Sequence, residues 1–161
     1  MAVRVLGVDP GSSATGWALV VVEGNRYRLE ASGVIRPRGS SRSTRLADLH
    51  RRLAATVDDQ RPDFAAVESS FSGINPKSGI ALAESRGVVL AVLGGHQIEV
   101  SSYSPAQVKS AVVGHGRAEK EQVNYMVVRL LSLPKPPPSD AADAMAVAIT
   151  HLHSRQPQIP R

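Results

Sequence analysis

Four acidic side chains stand among apolar or small neighbours. Asp9 ends the run Val3-Arg-Val-Leu-Gly-Val-Asp9 and leads into Pro10-Gly11. Glu68 directly follows Phe64-Ala-Ala-Val67. Asp140 and Asp143 lie in Ser139-Asp-Ala-Ala-Asp-Ala144, three residues apart and so on one face of a helix. Singly, three of them have plain readings. Asp9-Pro-Gly can start a turn, Glu68 can be a surface acid at a strand end, and Asp140 can complement a helix dipole. Asp143 fits such a reading less well, because Ala141, Ala142, Ala144 and Ala146 around it leave room for another backbone or a ligand. Four clustered carboxylates repel one another and stay ionised only with cations among them. The chain has no cysteine, and hard oxygen donors select Mg2+ or Mn2+. Two such ions can clamp the attacking water and the departing oxygen of a phosphodiester.

The surrounding elements must bring these residues together. Residues 3–9, 14–23 and 26–36 read as three antiparallel strands, the last two joined at Gly24-Asn25. Residues 37–44 are Pro, Gly, Ser and Arg, hence a loop. Leu46, Leu49, Leu53 and Val57 recur at helical spacing and predict a helix over 43–60. Residues 64–68 read as a buried strand, 69–79 as a loop, 79–94 as a helix and 97–102 as a strand. A helix starts at Pro105, Gly114-His115-Gly116 is a turn, and 118–132 is a helix. Pro-rich 133–138 is a stiff connector, and Ser139 reads as the N-cap of a helix to about residue 153. The order β-β-β-α-β-α-β-α-α-α predicts an α/β fold. Its mixed five-stranded sheet has three antiparallel strands, then parallel ones, with helices on both faces. Parallel neighbours would set the ends carrying Asp9 and Glu68 side by side, at the edge where such sheets bind ligands.

At 161 residues and 42% hydrophobic content the chain is expected to form one domain, 1–153, with a flexible tail over 154–161. The lack of cysteine excludes disulfides, thiolate zinc, iron–sulfur clusters and thiol catalysis. No apolar run is expected to span a membrane, and Asp9-Pro10 comes too early for a signal peptide, so a cytoplasmic location is expected. The charge is uneven. Residues 24–61 hold nine arginines against four acids, while the rest of the chain is balanced. Arginine forks onto phosphates better than lysine does, so this segment is a candidate polyanion footprint, the other reading being a solvated surface. Its portion 36–45 is expected to become ordered on its polyanionic partner, and charge alone does not choose between DNA, RNA and an acidic protein.

Four segments together resemble the RuvC family of bacterial crossover junction endodeoxyribonucleases. They are Gly7-Val-Asp9-Pro-Gly-Ser-Ser-Ala-Thr-Gly16, Val67-Glu68-Ser-Ser-Phe71, Val108-Lys109 through Lys120, and Ser139-Asp-Ala-Ala-Asp143 through His151. The resemblance implies a ribonuclease-H-like fold, a homodimer, and Mg2+-dependent paired nicking of a four-way (Holliday) DNA junction in recombination and repair, leaving 5′-phosphate and 3′-hydroxyl ends. It implies that Asp9, Glu68, Asp140 and Asp143 bind two Mg2+, with Mn2+ as a substitute. It implies DNA contacts by Phe71, Lys109 and Lys120, and partnership with the RuvA–RuvB branch-migration complex. Ser72-Gly73-Ile74-Asn75 departs from the Ala-Lys-Asn that the likeness would place after the phenylalanine, with Lys77 displaced along the chain.

Three other readings compete. An actin-like ATPase or sugar kinase shares the Asp9-to-Gly16 pattern but needs two larger lobes. A non-catalytic nucleic-acid module would not need complete carboxylates. A related nuclease could act on structured RNA. Among the remaining residues, Trp17 is expected in packing and His115 in an exposed turn. His151 and His153 fall at a helix end, where the dipole favours a cationic ring.

Overall fold

The computed structural model describes residues 1–69 and 75–155. Strands β1 (Val3–Asp9), β2 (Thr15–Glu23) and β3 (Arg26–Ile35) form an antiparallel meander, and β4 (Phe64–Glu68) and β5 (Glu99–Tyr103) extend it in parallel with β1. The strand order is β3-β2-β1-β4-β5. Five helices cover the two faces: α1 (Arg42–Gln60), α2 (Pro76–Gly95), α3 (Pro105–Val113), α4 (Lys120–Leu130) and α5 (Ser139–Arg155).

Strand alternation sorts the side chains into two cores. Val5, Ala18, Val20 and Ala66 point into the core under α3, α4 and α5. Leu6, Val8, Leu19 and Val67 point into the other, which holds Leu49, Leu53 and Val57 of α1 and Val89 and Leu93 of α2. Trp17 packs against that second core, as expected. The same parity puts Asp9 and Glu68 on the α5 side of the sheet.

Helix α5 is nearly all buried, from Ala141 to Leu152 apart from Asp143. It lies unusually close to the sheet. A Cβ on Gly7 would come within 2.0 Å of the Ala144 carbonyl oxygen, and one on Gly16 within 2.0 Å of the Asp140 carbonyl oxygen. The two missing side chains, and the small Ala144 and Ala148, let helix backbone rest on strand backbone.

Several boundaries differ from the sequence reading. Helix α2 begins at Pro76, because the Asn75 side chain accepts from the Lys77 amide and proline suits the first helical position. Ser139 is not the N-cap of α5. The Pro138 carbonyl accepts the Ala142 amide at 2.9 Å, which makes Ser139 the first helical residue. The segment 36–45 has its own fixed structure: Asp48 accepts the Arg38 amide at 2.9 Å, and Ser41 and Thr44 form a capping box. Helix α2 is the element that bears on the expectation that no apolar run spans a membrane. The 20 residues of α2 include an 18-residue window with a mean hydropathy of 1.3, which meets the length and composition of such a span. Yet its Glu84 and Arg86 lie mid-helix and meet Arg42 and Ser102 of the fold. The expected tail overlaps residues 156–161, which lie outside the described residues.

Candidate active site

Asp9 and Glu68 close two adjacent parallel strands. Val8 stands opposite Val67, so Asp9 and Glu68 are the next residues along on neighbouring chains. Their carboxyls lie within hydrogen-bonding reach of each other. Burial pushes the Asp9 carboxyl up to about 8, helped by the negative charges of Glu68, Asp143 and Asp140. Burial also raises Glu68, against the pull of the hydrogen bond and of Lys120 and Lys109. These mutual influences place all four acids within electrostatic reach of one another.

The α5 acids arrive from above the sheet end. Asp140 sits over β2, where its carbonyl faces Gly16, and its carboxylate lies 3.6 Å from the Arg36 guanidinium. Asp143, one helical turn on, is raised by burial, and the Lys120 ammonium 3.4 Å away opposes that rise. Glu68 and Asp143 line a cleft of about 240 Å³ with Pro105, Val108, Lys109, Lys120, Val123 and Ala146. Its wall is apolar below and basic at the rim.

Among the described residues, no three acidic or histidine side chains stand in a ready metal-holding arrangement. Asp9 and Glu68 hold each other, while Asp140 and Asp143 hold Arg36 and Lys120. The donor set still fits a hard divalent cation: carboxylate oxygens from three elements, partly buried, beside one cleft.

Of the other predicted site residues, Lys109 and Lys120 both border the cleft. Phe71 lies outside the described residues. His115 is exposed on its turn. The cationic reading of His151 is reversed. It is buried, its Nδ1 lies 2.9 Å from the Tyr103 hydroxyl, and burial lowers its pKa, so the ring is neutral. Two features escaped the sequence reading. Gly7 and Gly16 set the height of α5, and Arg36 emerges from eight other arginines of its segment as the one beside Asp140.

A ribonuclease-H-like sheet with acids at the ends of its central strands, a fifth helix delivering two more, and lysines at the rim is the architecture of a phosphodiester-cleaving nuclease. The sequence profile of the crossover junction endodeoxyribonuclease RuvC matches residues 5–151. This chain belongs to the RuvC family. It is 43% identical over 156 residues to the crossover junction endodeoxyribonuclease RuvC of Azorhizobium caulinodans, covering 96% of this chain and 92% of that one. To the protein of the same name from Neisseria meningitidis serogroup C it is 45% identical over 150 residues, covering 92% and 84%. The Thermus thermophilus RuvC structure superposes with a TM-score of 0.89 at 33% identity, covering 98% of this chain and 97% of that one. The structure of T. thermophilus RuvC in complex with a Holliday junction substrate gives 0.90 at 32% identity, covering 97% and 96%.

Proposed function

We propose that this chain is a divalent-metal-dependent endodeoxyribonuclease that resolves four-way DNA junctions by paired symmetric nicks in homologous recombination and repair. One observation carries the site assignment. Asp9 and Glu68 meet at the ends of neighbouring parallel strands, and α5 presents Asp140 and Asp143 to the same edge. Relatives named as crossover junction endodeoxyribonucleases, and one solved with a junction substrate, supply the substrate class.

Asp9, Glu68, Asp140 and Asp143 are the residues that would hold two Mg2+, with Mn2+ as a substitute. When bound, such ions activate a water and stabilise the leaving 3′-oxygen. The protein does the rest. Glu68 and Asp143 approach the cleft from two elements, β4 and α5, and α5 is held in place by its close approach to β1 and β2. Lys109 and Lys120 hold the phosphates flanking the scissile bond, which makes binding salt-sensitive. Phe71, three residues after Glu68 in the sequence, would stack on an exposed base. Among the described residues lining the cleft none is an activated nucleophile, and direct attack by water would leave 5′-phosphate and 3′-hydroxyl ends.

A homodimer suits a substrate with two-fold symmetry. The apolar α2 supports it, since Ile80 is 64% exposed and Ala83, Gly87 and Ala91 continue its face. A RuvA–RuvB branch-migration complex would deliver the junction, in the cytoplasm, to the 1–153 domain.

The test is a labelled synthetic four-way junction beside linear duplex, with and without Mg2+. Symmetric nicks in the junction alone, only with Mg2+, are expected. Asp143→Asn should bind the junction as the wild type does and lose nicking by about 1,000-fold or more, the scale on which an essential charge acts on a transition state. Normal nicking by Asp143→Asn would refute the assignment.

A further inference from the structure

The basic rim described so far lies on one side of the acids, where Lys109 and Lys120 border Glu68 and Asp143. The opposite side, toward strand β3, carries Arg36. Three strand spacings of about 4.8 Å separate β3 from β4, which is well beyond the ~3.4 Å rise of one nucleotide. A DNA strand crossing the acids therefore needs a second hold on the β3 side.

The segment after β3 is built for that. The Asp48 carboxylate is only 6% exposed, and three arginines converge on it. It accepts the Arg38 amide at 2.9 Å, pairs with Arg52 at 3.3 Å, and pairs with Arg51. Arg52 in turn donates to the Arg36 carbonyl at 2.9 Å. Gly39 seats the chain against α1, where a Cβ would lie 2.3 Å from the Thr44 hydroxyl. The backbone from Arg36 to Gly39 is thus fixed from beneath while the Arg36 and Arg38 side chains remain exposed. The Arg36 side chain is 70% exposed, and among the described residues its ion pair is the 3.6 Å contact with Asp140. One backbone amide and two guanidiniums satisfy the Asp48 carboxylate and tie the loop after β3 to α1.

We propose that Arg36 and Arg38 form a second phosphate-binding ledge, which holds the DNA backbone on the side of the acids away from Lys109 and Lys120. The ledge rests on the junction-nuclease reading and adds its second backbone hold. Guanidinium forks suit phosphate oxygens, and a preset backbone reduces the ordering cost of binding. When a phosphate takes Arg36, Asp140 is released from its ion pair.

The test measures affinity for a fluorescent four-way junction in EDTA across a salt series. That readout is independent of nicking. Arg36→Ala and Arg38→Ala should each weaken binding by about tenfold, the scale of one charge-assisted hydrogen bond. Each should lower the slope of log Kd against log salt by about one. Arg36→Lys should keep the slope and lose part of the affinity. Arg129→Ala, at the far end of α4 and stacked on Tyr125, removes the same charge elsewhere and should leave the slope unchanged. Thermal melts confirm that each variant is folded. An unchanged slope in the Arg36→Ala/Arg38→Ala double variant, or an equal loss in Arg129→Ala, overturns the ledge. Failure of the wild type to bind the junction overturns the functional reading instead.

Discussion

Residue by residue, protons and cations follow partner geometry more closely than residue type. His96 shows this away from the acids. Its Nδ1 lies 2.7 Å from the Val92 carbonyl and its Nε2 lies 3.0 Å from the Asp58 carboxylate, so both nitrogens face acceptors and both must donate. These contacts favour the protonated ring and raise its pKa above the usual value, the Val92 carbonyl contributing most. A raised histidine pKa contributes stability that is present in full below about pH 6.5 and is lost as pH rises through the folded value. The pair joins the ends of α1 and α2 near the surface, where such contacts are worth about 0.2–1 kcal/mol. Thermal melts should show a loss of about 1–3 °C between pH 6 and pH 8 that His96→Gln abolishes. An identical loss in the variant would remove His96 as the cause. At this scale the four carboxylates were legible because acids after apolar runs are conspicuous. Arg36 was not, because one arginine among nine carries no mark until the end of β3 is seen beside Asp140. His151 misled because a helix-end position favours charge, whereas burial, decided by tertiary packing, disfavours it.

At the scale of elements, placement of the α5 acids depends on two residues with no side chain. Gly16 is paired with Asp9 across β1 and β2, and directly beneath it the Asp140 carbonyl is close enough to forbid a Cβ. Gly16→Ala must push the first turn of α5 off the sheet. Overpacking of this kind costs about 1–3 kcal/mol. A displacement near 1 Å at reacting groups costs about 100-fold in rate. We expect Gly16→Ala and Gly7→Ala to fold with lowered Tm, to bind the junction near normally, and to nick about 100-fold more slowly at saturating DNA. Nicking at the wild-type rate would show that α5 tolerates the shift. The strands and their order were readable from β-branched runs and the Gly24-Asn25 turn. The start of α2 was not, because a polar stretch masked the Asn75-Pro76 cap. Nor was the cap of α5, because a serine before an acid resembles an N-cap even when the preceding proline carbonyl takes that role.

On the scale of the whole molecule, α2 is the element whose composition the monomer leaves unexplained. It is apolar nearly all round, yet of its 20 residues only Ser85, Val89, Val92 and Leu93 are fully buried. A second copy covering the Ile80 face would account for it and would bring two sets of acids under one symmetry axis. Ile80→Asp should turn a dimer into a monomer by analytical ultracentrifugation, and the two nicks in a junction should then become uncoordinated. A wild-type chain that sediments as a monomer at micromolar concentration would set the dimer aside. Composition showed the excess of positive charge and where it lies along the chain. It could not show that the segment after β3 and helices α3–α4 bring charge to opposite sides of one acidic edge, because that follows from strand order.

The flush contact between α5 and the strands also frees another part of the chain. Since the sheet itself serves as the reference surface for the acidic turn, the proline-rich stretch leading into it need only reach. Its length and sequence can drift, or be altered by an engineer, without moving the chemistry, whereas a single residue inserted within α5 would rotate the acids by about 100° away from their partners.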